Sequence, residues 1–172
     1  AGTVDLDGDV TGATTVTISD VGTEIDLAAG VDITASGGNV DLNNTVAQID
    51  LSGTTDTNTI SASGSVELAN VVDTGTTTAT SPVELVVTAG TGVTLGTVTL
   101  SNTLDVDFDT ATGTSTLNAG SLSAGTIEVD GVGTNDVMNF GSTVVSTVAG
   151  VTIGNAGTVD LDGDVTGATT VT

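Results

Sequence analysis

The carboxylate is the main chemistry-bearing side chain that this sequence offers. Two identical Asp-Leu-Asp-Gly-Asp runs place three aspartates at alternate positions: Asp5, Asp7, Asp9, Asp160, Asp162 and Asp164. Carboxylate oxygens are the ligands that a hard cation such as Ca²⁺ prefers. The runs therefore predict calcium sites, and the alternative interpretation is a solvated acidic strand face.

The spacing of these aspartates does not match an EF-hand loop. Val10 stands where that loop has its glycine, and Val16 stands where it has its bidentate glutamate. A second candidate, residues 130–138, resembles one nonapeptide of the toxin-type calcium β-roll. That motif occurs once and carries Val132 among its glycines, which favours an ordinary turn.

The composition excludes several function classes. Lys, Arg, His, Cys, Trp and Tyr are absent, whereas Asp and Glu number 22, so the formal charge is −22. Paired carboxylates could serve as general acid and base, but an acidic strand displays the same alternation, and we expect no enzyme. Phosphate contacts need Lys or Arg, so nucleic acid is excluded as a partner. No apolar run approaches the roughly 20 residues of a membrane span, so we expect no membrane insertion.

The two ends of the sequence are identical. Residues 156–172 repeat residues 1–17, AGTVDLDGDVTGATTVT, at an offset of 155 residues. We interpret residues 1–155 as one complete repeat and residues 156–172 as the start of the next, in a tandem array that makes the whole protein longer. The second copy is expected to have the backbone of the first, displaced and rotated along the fibre axis. A second copy on different elements would instead suggest exchange between subunits.

Short alternations of apolar and polar residues recur along the chain and predict half-buried strands without helices. Their apolar members are the predicted core: Val4, Leu6, Val16, Ile18, Ile25, Leu27, Val40, Leu42, Ile49, Leu51, Val66, Leu68, Leu85, Val87, Val93, Leu95, Val106, Phe108, Ile127, Val129 and Ile153. Gly, Asn, Ser and Asp separate the strands, as at 36–39 and 89–92, and these residues tolerate the positive φ angles that tight turns need.

Many short strands fit either a β-solenoid or an antiparallel β-sandwich. Two Phe and no Trp or Tyr favour the narrow core of a solenoid. The intervals from Val87 to Val106 and from Val106 to Ile127, 19 and 21 residues, predict irregular coils of roughly 20 residues. About eight coils per repeat, stacked ~4.8 Å apart, would advance roughly 35–40 Å.

Two segments carry a family resemblance: VTAGTGVTLGTVTLSNTLDVDF at 87–108 and VDITASGGNVDLNN at 31–44. They resemble the repeats of filamentous-haemagglutinin-type giant surface proteins, with a motif of roughly Gly-x-Val-x-Leu separated by Thr, Ser and Asn. The resemblance covers most of the chain. It implies a right-handed parallel β-helix, export to the cell surface and a stalk-like or adhesive role.

These observations together predict a structural repeat of a secreted filament or stalk at the cell surface. Its expected partners are further copies of the same repeat, in one chain or as a homopolymer. Two alternatives stay open: an adhesin stalk whose recognition domain lies elsewhere, and a calcium-binding module similar to a β-roll. Calcium is the one candidate cofactor. The absence of Cys is compatible with an exported protein that relies on repetitive packing.

Overall fold

The computed structural model describes residues 2–43, 47–51, 57–73, 84–109 and 113–172. Within these ranges the protein is all-β, without a helix. The strands, numbered in chain order, are β1 (Val4–Leu6), β2 (Val10–Gly12), β3 (Val16–Thr17), β4 (Glu24–Leu27), β5 (Asp32–Ala35), β6 (Val40–Leu42), β7 (Gln48–Leu51), β8 (Asn58–Ala62), β9 (Ser65–Leu68), β10 (Asn70–Val72), β11 (Glu84–Ala89), β12 (Gly92–Leu95), β13 (Val98–Thr99), β14 (Thr103–Phe108), β15 (Thr116–Ala119), β16 (Leu122–Ala124), β17 (Thr126–Asp130), β18 (Val137–Phe140), β19 (Val144–Ser146), β20 (Gly150–Gly154), β21 (Thr158–Leu161), β22 (Val165–Thr166) and β23 (Thr170–Val171).

Every third strand along the chain joins the same sheet, which makes a three-sided coil. Sheet 1 has the order β1-β4-β7-β10-β13-β16-β19-β22, sheet 2 the order β2-β5-β8-β11-β14-β17-β20-β23, and sheet 3 the order β3-β6-β9-β12-β15-β18-β21. The pairings between described strands are parallel. The parallel β-helix is confirmed, and the antiparallel sandwich alternative is wrong.

The turns of the coil are irregular and somewhat longer than predicted. Val4 pairs with Ile25, 21 residues further along, whereas Val71 pairs with Val98, 27 residues further along. The longer turns reduce the number of coils in one repeat. Among the described residues, one repeat holds twenty strands, β1–β20, and β21 then has the second copy of the β1 sequence. One repeat therefore makes six and two-thirds turns rather than eight and advances about 32 Å.

One of the two intervals used to predict the coil length is wrong. Val87 does pair with Val106, as predicted. Val106, however, pairs with Val129 and not with Ile127. Strand β17 has two inward-facing apolar residues, and a slip of two residues keeps every side chain on its face, so alternation alone cannot tell the two registers apart.

The predicted core is confirmed. Most of the predicted residues are fully buried, and the other four are partly buried and pack against the core: Val4, Leu6, Ile18 and Ile153. Further buried residues were not predicted: Ile60, Ala62, Val71, Leu117, Leu122, Ala124, Met138, Phe140 and Val144. Inward side chains stack on their partners in the next coil, so at least two columns of mainly apolar residues run along the inside of each sheet.

The 2–3 corner, our name for the turns between sheet 2 and sheet 3 strands, is packed by glycines at its first turns. A Cβ added to Gly37 would lie 2.5 Å from the carbonyl oxygen of Ala13, and one on Gly38 or Gly90 would lie closer still to the preceding coil. The turns at 36–39 and 89–92 form without positive φ angles. In the described residues, positive φ occurs at Asp20, Gly30, Gly113 and Asn155. These corner glycines instead allow close stacking of coils.

The two copies of the 17-residue segment form the same succession of strands on different sheets. In the first copy, β1, β2 and β3 lie in sheets 1, 2 and 3. In the second copy, β21, β22 and β23 lie in sheets 3, 1 and 2. When the offset of 155 residues is subtracted, the equivalent strands of the two copies begin and end within one residue of the same sequence position. The second copy is thus displaced and rotated along the axis, as expected, but it starts one sheet earlier.

Candidate functional site

Acidic side chains stack on one another along the outward faces of the sheets. We call these stacks the acidic columns: Asp5, Asp26 and Asp50 on sheet 1, Asp41 and Glu67 on sheet 3, and the two pairs Asp105–Glu128 and Asp107–Asp130 on sheet 2. Neighbouring strands are about 4.8 Å apart, and like charges directly opposite one another are destabilising. The sequence has no Lys, Arg or His to separate them. The faces therefore carry unrelieved repulsion.

The environment of Asp107 shows the electrostatic cost of stacking carboxylates. Partial burial raises the pKa of its carboxyl, and the neighbouring charge of Asp130 raises it further. On sheet 1, Oδ1 of Asp26 is buried without a hydrogen-bond partner, and Asp50 is 6% exposed. The ionised form of Asp107 is thus disfavoured in the fold.

The predicted calcium ligands lie at the two ends of the stack. All six are exposed: Asp5, Asp7, Asp9, Asp160, Asp162 and Asp164. Oδ1 of Asp9 accepts a hydrogen bond from the backbone amide of Asp32 at 3.0 Å, so this oxygen ties one coil to the next. Across the part of the chain that the structure describes, no group of three or more acidic side chains is arranged to hold a metal ion. Calcium stays a prediction that ion-binding measurements must test.

The segment that resembles a β-roll nonapeptide forms a turn of the 2–3 corner. Its Asp136 is 1% exposed. One carboxylate oxygen accepts the amide of Ser115 at 2.8 Å, and the other accepts the amides of Val132 and Gly133 at 2.9 and 3.0 Å. Burial by itself would raise the pKa of Asp136, but these hydrogen bonds, together with one from the Ser115 side chain, lower it overall.

Asp136 also connects three successive coils. Its carboxylate binds the coil below through Ser115, and its carbonyl oxygen accepts the amides of Gly157 and Thr158 of the coil above at 2.9 and 3.0 Å. A carboxylate whose two oxygens both accept hydrogen bonds from backbone amides acts as a structural anchor. The sequence predicted an ordinary turn here and did not identify this role.

Asparagine side chains also join neighbouring coils at other turns. Oδ1 of Asn39 accepts the amide of Ser65 at 2.9 Å, and Oδ1 of Asn70 accepts the amide of Thr97 at 3.0 Å. The buried Asn58 donates from Nδ2 to the carbonyl of Ala28 at 2.8 Å. These bonds join residues 26 to 30 positions apart. In the sequence, each of these asparagines is only a polar residue next to a strand end. The residue to which it bonds lies one coil away and cannot be identified from the local sequence.

The side-chain hydrogen bonds described above join neighbouring coils of the solenoid. The described residues enclose no pocket and contain no helix that could cross a membrane. Several buried polar side chains bind neighbouring coils, and the exposed polar side chains are acidic, hydroxylic or amide groups. Comparison with protein-family models, with curated proteins and with solved structures finds no match to this chain.

Proposed function

We propose that this chain is a structural repeat of a secreted cell-surface filament or stalk, extended by further copies of itself. One observation carries the proposal: residues 2–17 and their identical copies, residues 157–172, occupy the first and last coils of one continuous stack. Each unit of a solenoid contacts only its neighbours, so added repeats lengthen the rod without a new core. The function of each repeat is then to add length to the rod.

The composition supports an exposed, extracellular rod. The sequence has no Lys or Arg, so trypsin-like proteases find no cleavage site. All outward charges are negative, so two rods lying side by side repel each other. Growth is thereby confined to the ends of the rod.

An adhesin stalk is the closely related alternative. Recognition hot spots draw mainly on Trp, Tyr and Arg, and this sequence contains none of them. In that version the repeat would hold a separate recognition domain away from the cell. The rod itself has the same task in both cases.

A series of chains with one, two and three repeats tests the proposal. We expect small-angle scattering to give an axial length that rises by about 32 Å per repeat at a constant cross-section. We also expect the midpoint of unfolding to rise with repeat number, because each internal repeat gains a second neighbour. Repeats that fold as separate beads, or a length that does not grow, would contradict the filament.

Calcium is the second candidate, and the acidic columns are the observation that favours it. We expect cations to collect diffusely along the columns, which predicts a small increase of the melting temperature that matched magnesium reproduces. A calcium-selective increase that is lost in Asp7→Ala, but kept in Asp109→Ala outside the two runs, would establish a calcium module instead. Thermal unfolding in matched calcium and magnesium solutions gives the answer.

A further inference from the structure

The last coil leaves uncovered the side chains that are covered in the first. Val16 is 7% exposed, whereas its copy Val171 is 53% exposed. Val159 and Leu161 are likewise exposed, whereas their equivalents Val4 and Leu6 pack against the core. The sequence and the strands are the same in both places. The difference is that another coil lies on top of the first copy.

The structure therefore identifies what fits on the last coil. Strands β4, β5 and β6 lie on the first copy with Ile25 on Val4, Ile33 on Val10 and Val40 on Val16. Residues 159–171 present the same apolar side chains in the same order. A coil equivalent to residues 24–42, such as the next copy of the repeat would supply, would fit this surface.

The apolar columns would continue through this junction. Below the last coil, Met138 lies under Val159 on sheet 3, Val144 under Val165 on sheet 1, and Val151 under Val171 on sheet 2. Placing the next Ile25, Ile33 and Val40 above them keeps each column apolar.

We infer that successive repeats dock through this surface and that each is rotated by one third of a turn relative to the one before it. Twenty strands fill one repeat among the described residues, and twenty is not a multiple of three. The next repeat must therefore start on a different sheet. If gradual twist between coils is left aside, three repeats make twenty full turns. A given segment of the repeat therefore returns to the same face of the rod after about 96 Å.

The rotation has a consequence for the surface of the array. Each segment of the repeat faces three directions in turn along the rod. A ligand that recognised one segment would meet it on every side of the filament. This inference rests on the proposed tandem array but makes a separate geometric claim.

The register of the last coil can be tested in the present chain, which has no native Cys. Asn139 and Asp160 are outward-facing partners on sheet 3. An unrotated copy would instead place Asp160 over Val145 of sheet 1. We expect a short bifunctional thiol reagent to bridge Asn139→Cys with Asp160→Cys, and not Val145→Cys with Asp160→Cys. Bridging of the second pair, or of neither pair, in variants with unchanged circular dichroism would overturn the inference.

Docking is tested in a chain lengthened by another copy of residues 18–172. The same reagent should bridge Asp160→Cys with the equivalent of Asp26→Cys in the added copy, because Asp5 lies opposite Asp26 in the first copy. Image reconstruction should show repeats related by a third of a turn. Rods whose repeats all face one way would refute the rotation but keep the filament. Failure to form a rod would refute both the docking and the filament.

Discussion

The 2–3 corner and the outward faces of the solenoid hold neighbouring coils in opposite ways. At the corner, Gly90 packs against the carbonyl of Ser63, and Asp136 accepts three backbone amides. On the face of sheet 2, Asp107 lies opposite Asp130, and no cationic side chain exists to separate them. The contacts at the corner hold neighbouring coils at a fixed spacing, whereas the repulsion between stacked carboxylates on the faces opposes that spacing. A carboxylate can therefore stabilise or destabilise this fold, depending on where it lies.

Removing the anchor at the corner should have the largest effect. Asp136→Asn keeps the size of the side chain but replaces one acceptor by a donor among backbone amides. We expect a loss of about 3 kcal/mol in the free energy of unfolding, because buried donors lose a charged partner. Urea unfolding measures it. Asp130→Asn, an exposed control in the same segment, should not reproduce the loss, and an equal loss would remove the distinction between corner and face.

The effect of Asp136 should depend on pH in a defined direction. Its pKa is lower in the folded protein, so its contribution is complete above its unfolded value, about 3.9, and is lost as pH falls through the lower folded value. The difference in stability between wild type and Asp136→Asn should therefore shrink in acid. Unfolding curves from pH 7 to strong acid would show a constant difference if the carboxylate were not the cause.

A methyl group at the corner should have the next largest effect. Gly90→Ala places a Cβ against the backbone of the preceding coil, and we expect a loss of about 2 kcal/mol from overpacking. Gly133→Ala is the matched control, since no atom lies within 4 Å of its added Cβ. Thermal or urea unfolding of the two variants compares them. Equal stabilities would mean that coil spacing at this corner is not fixed by glycine.

On the face, loss of a charge should stabilise the protein. Burial and Asp130 raise the pKa of Asp107, so its ionised form is disfavoured in the fold. We expect Asp107→Asn to gain about 0.5 kcal/mol at neutral pH. The gain should vanish in acid, as pH falls through the raised folded pKa towards the unfolded one and Asp107 itself becomes neutral. Destabilisation at neutral pH would show that Asp107 has a favourable role.

Salt should produce the smallest effect. Screening acts over about 8–10 Å at ordinary ionic strength, so added sodium chloride should raise the stability of wild type slightly. The rise should be smaller in Asp107→Asn, where one repulsion is already removed, and unchanged in Gly90→Ala. Melting temperatures across a salt series measure it. If Gly90→Ala changed the salt response, the repulsion would lie at the corner and not on the faces.

The sequence predicted the sheets better than the corners. Strands such as β9 alternate two large apolar residues, and this local pattern identified most of them, although β18, with Met138 and Phe140, was missed. In β8 the inward neighbours of Ile60 are Asn58 and Ala62, and in β15 one of the two inward positions is Ala119; these residues weaken the same pattern, so both strands were missed. A single sequence does not show which residue lies one coil away, because the spacing varies from turn to turn.

The same reason limited the prediction of the candidate site. Alternating aspartates indicated an acidic face, and the columns agree with that interpretation. The role of Asp136 depends on Ser115, 21 residues earlier, and no local motif encodes that contact. The corner glycines were assigned to tight turns for the same reason, although they serve close stacking between coils.

The three-sided cross-section also has a mechanical consequence. A rod whose sheets differ in strand length and side-chain volume would bend more easily in one plane than in another, and would curve steadily towards one side. If each repeat of the proposed array turns by a third, these inequalities cancel over three repeats. The filament would then be straight on average and equally stiff in all directions, although no single repeat is symmetric.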